Sequence, residues 1–117
     1  MTLVWEQVTV DARDPQTLGW WWADALGWVV VDDSPDVVEI RPEAETLPGL
    51  LFVRVDETKT GKNRLHVDLR PDDQAAEVAR FRGLGAQQID IGQGDVGWVV
   101  LADPEGNEFC ILSAPMS

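Results

Sequence analysis

The chain writes one order of elements twice, and that repetition limits its folds more than any other feature. Residues 4–10 are rich in β-branched side chains and read as a strand. Asp14-Pro15 then predicts a helix, with the aspartate as N-cap and the proline at the first helical position. That helix runs to about Leu26, and Gly27 suits the position just past its end. Residues 28–31, 37–41 and 50–55 read as three further strands. Asp32-Asp33-Ser34-Pro35 marks the first turn between them, and residues 41–49 form a longer connection. After a polar loop over 58–63 the order restarts. A strand over 65–69 precedes a helix opened by Pro71-Asp72-Asp73 and ended by Leu84-Gly85. Strands over 86–91, 97–102 and 108–112 follow, with turns at Gly92-Gln93-Gly94-Asp95 and Asp103-Pro104-Glu105-Gly106.

The halves also match by residue. Gln7-Val8-Thr9-Val10 aligns with His66-Val67-Asp68-Leu69, Asp14 with Asp73, and Leu26-Gly27 with Leu84-Gly85 when one residue is dropped from the second helix. Arg41-Pro42-Glu43 aligns with Asp103-Pro104-Glu105. A single βαβββ unit has one apolar sheet face and few ways to cover it. The expected fold is therefore α+β: two βαβββ repeats forming a curved eight-stranded mixed sheet around a cavity, with helices outside. Pairing of the repeats within one chain and pairing by swapping between chains fit this pattern equally.

At 117 residues, one domain over 1–117 is expected, with repeat one over about 1–57 and repeat two over about 63–115. The formal charge of −12 argues against nucleic acid and anionic membranes as partners. It suits neutral or cationic small molecules. No 18-residue apolar run is present, and the N-terminus lacks a basic region before an apolar one. One cysteine cannot form an internal disulfide, so a cytoplasmic protein is expected.

Strand alternation sorts the side chains by face. Val8 and Val10 suit the helix side, and Trp5, Gln7 and Thr9 the other. Leu65, Val67 and Leu69 suit the helix side, and His66 and Asp68 the opposite one. Asn107, Phe109 and Ile111 suit the helix side, while Glu108, Cys110 and Leu112 look inward. Gln7, His66, Glu108 and Cys110 can therefore converge. Trp5 and Trp98 would stack on a planar ligand or pack in the core. Leu18, Trp21 or Trp22, Ala25 and Leu26 make the buried stripe of the first helix. Trp20, Trp21 and Trp22 cannot all point inward, which favours a homodimer contact for those left out. Lys62-Asn63-Arg64 could tether its loop or meet an anionic group, but reads best as a solvated turn cluster. Asp68 could orient a ligand or water, or pair with Arg64 or Arg70. Cys110 reads as a small buried hydrophobe.

The stretches "DPQTLGWWWADALGW" at 14–28, "GKNRLHVDLRPDD" at 61–73 and "WVVLADPEGNEFCIL" at 98–112 together resemble the vicinal oxygen chelate superfamily. That is the glyoxalase I, bleomycin-resistance and extradiol dioxygenase group; the nearest likeness is to its small actinobacterial glyoxalase-like domain proteins. The resemblance implies one divalent ion held by residues on the first, fourth, fifth and eighth strands. Those places fall on Gln7, near Val53, on His66 and on Cys110. Two keep a ligand type, one is apolar and one is a thiol. Hard ions need carboxylate oxygens, and a thiolate ligand for zinc needs a lowered pKa. Glu108 shares the face but is displaced by about 6–7 Å along the strand.

The expected protein is thus a glyoxalase-like small-molecule binder, homodimeric, with no cofactor and no complete catalytic metal site. Its pocket would be lined by Trp5, Gln7, His66, Asp68, Trp98, Glu108 and Cys110, and its ligand would be a small organic molecule, cationic or aromatic. The alternative is a metal-dependent lyase, isomerase or dioxygenase in which Gln7, His66 and Glu108 or Cys110 hold a divalent metal. A third reading is a dimeric partner domain with a vestigial cavity. The residues alone leave open whether the chain is an enzyme.

Overall fold

The computed structural model describes residues 3–90 and 96–115. The chain divides into two compact units, Met1–Thr58 and Lys59–Ser117. Each unit holds one helix and a four-stranded mixed sheet built in the order βαβββ. The α+β class and the duplication therefore stand. The turn expected at 92–95 and Ile91 lie outside the described residues.

The first unit contains β1 (Gln7–Ala12), α1 (Pro15–Leu26), β2 (Val29–Asp33), β3 (Val37–Arg41) and β4 (Gly49–Arg54), with sheet order β1-β4-β3-β2. β1 runs parallel to β4, from Gln7 opposite Gly49 to Ala12 opposite Arg54; the other pairings are antiparallel. β1 begins three residues later than its β-branched run because β4 offers no partner before Gly49. Leu3, Val4 and Trp5 are left exposed.

The helix of this unit starts and stops where its caps dictate. The Asp14 carboxylate accepts from the Thr17 N–H at 3.2 Å and the Thr17 hydroxyl at 2.7 Å. These bonds hold that carboxyl below its ordinary value. Gly27 takes the left-handed conformation, φ 69°, that a side chain would resist. Leu18, Trp22, Ala23 and Ala25 are buried, while Leu26 is only half-buried. Of the three tryptophans, Trp22 enters the core, and Trp21 meets it edge-on at 5.0 Å. Trp20 stays exposed, and its indole N–H donates to Asp33 at 3.2 Å. Gly19 lets α1 sit against β3: a Cβ there would lie 2.5 Å from Val38 Cγ1. Beneath it Val38, Ile40 and Phe52 are fully buried.

The second unit contains β5 (Val67–Leu69), α2 (Gln74–Gly83), β6 (Gln87–Gln88), β7 (Val99–Ala102) and β8 (Glu108–Ile111), with sheet order β5-β8-β7-β6. β5 is parallel to β8, with Val67, Asp68 and Leu69 opposite Phe109, Cys110 and Ile111. Asp73 caps α2 by accepting from the Ala76 N–H at 3.1 Å. Phe81 is the buried apolar residue of α2, and its ring lies 5.2 Å from that of Phe109. Phe109 thus faces the helix, as alternation expects.

Two expectations need correction here. Leu65 is not on the helix side; it is 81% exposed, because the β5–β8 ladder starts at Val67 and leaves it outside the strand. The strand expected over 86–91 is only Gln87–Gln88 among the described residues, paired with Ala102 and Leu101. The Asp103 turn is tighter than a solvated loop. Its buried carboxylate accepts from the N–H groups of Glu105 and Asn107, each at 2.9 Å.

Candidate functional site

The polar side chains of the second unit gather where β5 begins beside β8. Val67 lies opposite Phe109, and His66 and Glu108 are the residues just before them in the chain. Asp68 and Cys110 come next on the same face. The residues from 59 to 66 lead into this corner.

Glu108 is its anchor. The side chain is only 6% exposed, and both carboxylate oxygens accept from the Asn63 N–H, at 3.1 and 3.3 Å. The Asn63 side-chain amide donates to the Glu108 carbonyl at 3.1 Å, and Lys59 Nζ stands 3.1 Å from the carboxylate. Lys59 also donates to the Gly61 carbonyl. Burial pushes the Glu108 carboxyl up, but the hydrogen bonds from its own and the Asn63 N–H groups, with the Lys59 ammonium, outweigh it. The carboxyl therefore sits below its ordinary value of 4.5.

Cys110 is buried and lies opposite Asp68 in the register. Burial pushes the thiol above its ordinary 9.0, the neighbouring Asp68 carboxylate pushes it further, and Lys62 opposes weakly. The cysteine is thus kept as a neutral thiol, the reverse of what a zinc thiolate or a nucleophile needs. His66 is half-buried, with Nε2 3.4 Å from Lys62 Nζ.

The remaining candidates are placed as follows. Gln7 is half-buried at the start of β1. Trp5, just before it, is 67% exposed. Trp98, just before β7, is 42% exposed, and its neighbour Gly97 is held through its carbonyl by the Gln74 amide at 2.9 Å. The apolar fourth-strand position shifts by two. Thr9 lies opposite Leu51 as Asp68 lies opposite Cys110, so Leu51 rather than Val53 is the counterpart of the thiol.

The second unit's donors do not fit a divalent ion as they stand. The carboxylate of Glu108 is held by Asn63 and Lys59, the thiol of Cys110 is protonated, and His66 Nε2 faces an ammonium. Among the described residues no group of three histidine, cysteine or acidic side chains is arranged to hold a metal. Sequence reasoning missed Lys59 and the grip of Asn63. Asn63 and Glu108 are 45 residues apart, and neither carries a local signature of the other.

Solved structures share this fold at low identity. A glyoxalase/bleomycin resistance protein/dioxygenase family enzyme from Burkholderia phytofirmans PsJN superposes with a TM-score of 0.74 at 17% identity, covering 97% of this chain and 100% of that one. The antibiotic-binding protein TnmS3 from Streptomyces sp. CB03234 gives 0.69 at 19%, over 98% and 99% of the two chains. The bleomycin-binding protein from Streptomyces verticillus, complexed with copper(II)-bleomycin, gives 0.64 at 15%, over 98% and 99%. No curated protein matches the chain. No helix among the described residues is long and apolar enough to cross a membrane. The sequence profile of the glyoxalase-like domain matches residues 7–112. Profile and fold agree over almost the whole chain, which belongs to the glyoxalase-like domain family of the vicinal oxygen chelate superfamily.

Proposed function

We propose that this protein binds a small organic molecule and lacks a complete catalytic metal site. One observation carries the reading. The donors of β8 that a divalent ion would need are not free to bind it: the Glu108 carboxylate is held by Asn63 and Lys59, and burial beside Asp68 keeps the Cys110 thiol neutral. Two structural neighbours, whose names state that they bind bleomycin and an antibiotic, support binding as a use of this fold. In the second unit Trp98 offers an indole face to a planar ligand, and with His66, Asp68, Glu108 and Cys110 it forms the proposed pocket. The single buried, protonated thiol suits a cytoplasmic setting, and exposed Leu3, Val4 and Trp5 suit a homodimer contact.

Intrinsic tryptophan fluorescence tests the reading, with metal-free bleomycin, copper(II)-bleomycin and a panel of planar aromatic molecules as probes. Saturable quenching that is lost in Trp98→Ala is expected. Calorimetric titration with zinc, nickel and manganese is expected to show no stoichiometric binding. An ion bound one to one, and released in both His66→Ala and Glu108→Gln, would instead establish the metal-dependent enzyme.

A further inference from the structure

We propose that the ligand carries an oxyanion, a carboxylate or a phosphate, received between the Lys62 ammonium and the His66 imidazole. This rests on the binding reading above and reverses the ligand charge that net composition suggests. The chain carries −12, yet residues 59–66 include Lys59, Lys62, Arg64 and His66 and no acid. The charge of Lys59 is taken by Glu108. Lys62 has no carboxylate within ion-pair distance among the described residues; its polar partner is His66, at 3.4 Å. Arg64, two residues from each, is exposed and likewise unpaired among the described residues.

Lys62 Nζ stands 3.4 Å from His66 Nε2, and an ammonium only donates. With the ring hydrogen on Nε2 both nitrogens donate, and an oxyanion oxygen seated between them accepts from both. Charge-assisted bonds to an oxyanion are the strong use of such donors. The segment is also held in place. Asn63, next to Lys62, is bonded to Glu108 through both its N–H and its amide, and Lys59 grips the same carboxylate. A cation presented from an anchored segment loses less freedom on binding than one on a free loop. The nearby buried acid, Glu108, competes little, because Lys59 and Asn63 satisfy it.

His66 is the chain's one histidine, so its ring C–H signals in a proton NMR spectrum need no assignment by mutation. The test titrates the full chain with benzoate and inorganic phosphate, and with benzamide and benzylammonium as neutral and cationic controls. Saturable shifts of the His66 signals with benzoate, phosphate or both, far exceeding the controls, are expected; which of the two acts names the source of the oxyanion. Lys62→Met should weaken that binding about tenfold or more, the scale of one charge-assisted hydrogen bond. Lys62→Arg should largely keep it. The side chain is exposed, so circular dichroism should show both variants folded. Equal binding of the controls, or unchanged binding in Lys62→Met, would overturn the proposal. So would the failure of both oxyanions while an uncharged aromatic molecule still quenches Trp98, a result that leaves small-molecule binding intact. Absence of all binding would remove both.

Discussion

The two units share one topology and use it for opposite ends. In the first, position after position goes to apolar packing. Leu18, Trp22, Val38, Ile40 and Phe52 close under α1, where Gly19 leaves room for Val38, and Gly49 lets β4 sit close to the Ile40 carbonyl. In the second, α2 buries little beyond Phe81, and the buried charged residues described, Asp103 and Glu108, both lie there. The contrast is sharpest at one register position. Gly49 lies opposite Gln7, where a Cβ would come 2.8 Å from the Ile40 carbonyl oxygen. Its counterpart in β8, just before the register partner of Val67, is Glu108, buried and bonded to a loop. A duplicated scaffold can thus assign stability to one copy and fixed polar chemistry to the other.

Core truncation should give the largest effect. Phe52→Ala removes a fully buried ring from the tightly packed unit and should cost about 3–5 kcal/mol in urea unfolding. Phe109→Ala, beneath the sparser α2, should cost less; an equal or greater loss would break the contrast.

Next comes the polar anchor. Glu108→Ala leaves the Asn63 N–H and Lys59 without their acceptor and should cost about 2–3 kcal/mol. Its pH signature is fixed in sign. The folded carboxyl lies below its ordinary 4.5, so its contribution is fully present above about that pH and fades as pH falls through the lower folded value. Unfolding curves at neutral pH and in acid should therefore show the wild type losing an increment of stability that Glu108→Gln never had.

The helix glycines should answer with opposite signs. Gly19→Ala drives a methyl against Val38 and should destabilise by about 1–2 kcal/mol after the gain in helix propensity. Gly83→Ala, with nothing within 4 Å of the new methyl, should stabilise by about 0.5 kcal/mol. Thermal melts of the two variants decide it. The smallest effect concerns the thiol. Cys110 should react slowly with iodoacetamide at pH 8, and Asp68→Asn should speed the reaction modestly by removing a negative charge. Fast alkylation of the wild type would mean that the second unit does not shield the thiol.

Local chemistry made much of this fold legible. Asp14, Pro15 and Gly27 bound α1 because caps act within a few residues. The duplicated order predicted two matching units, and alternation put Phe109 toward α2 and Cys110 beside Asp68. What escaped was everything set by partners far along the chain. Leu65 continues the apolar alternation, yet β8 starts too late to extend the ladder to it. Lys62-Asn63-Arg64 reads as solvent-facing, because nothing nearby shows that Asn63 closes on Glu108. Asp68 suits a ligand, a water or a nearby arginine when read locally, and only the register shows that it lies opposite Cys110.

β5 has β8 as its neighbour in the sheet, and β8 is the last of the described strands. On a ribosome the first unit can complete its sheet while the second is still being made. β5 must wait for some forty residues of further synthesis before its hydrogen bonds have anywhere to go. Truncation ahead of Glu108 would leave that wait permanent and the Lys62 segment untethered, even with every one of its own residues present.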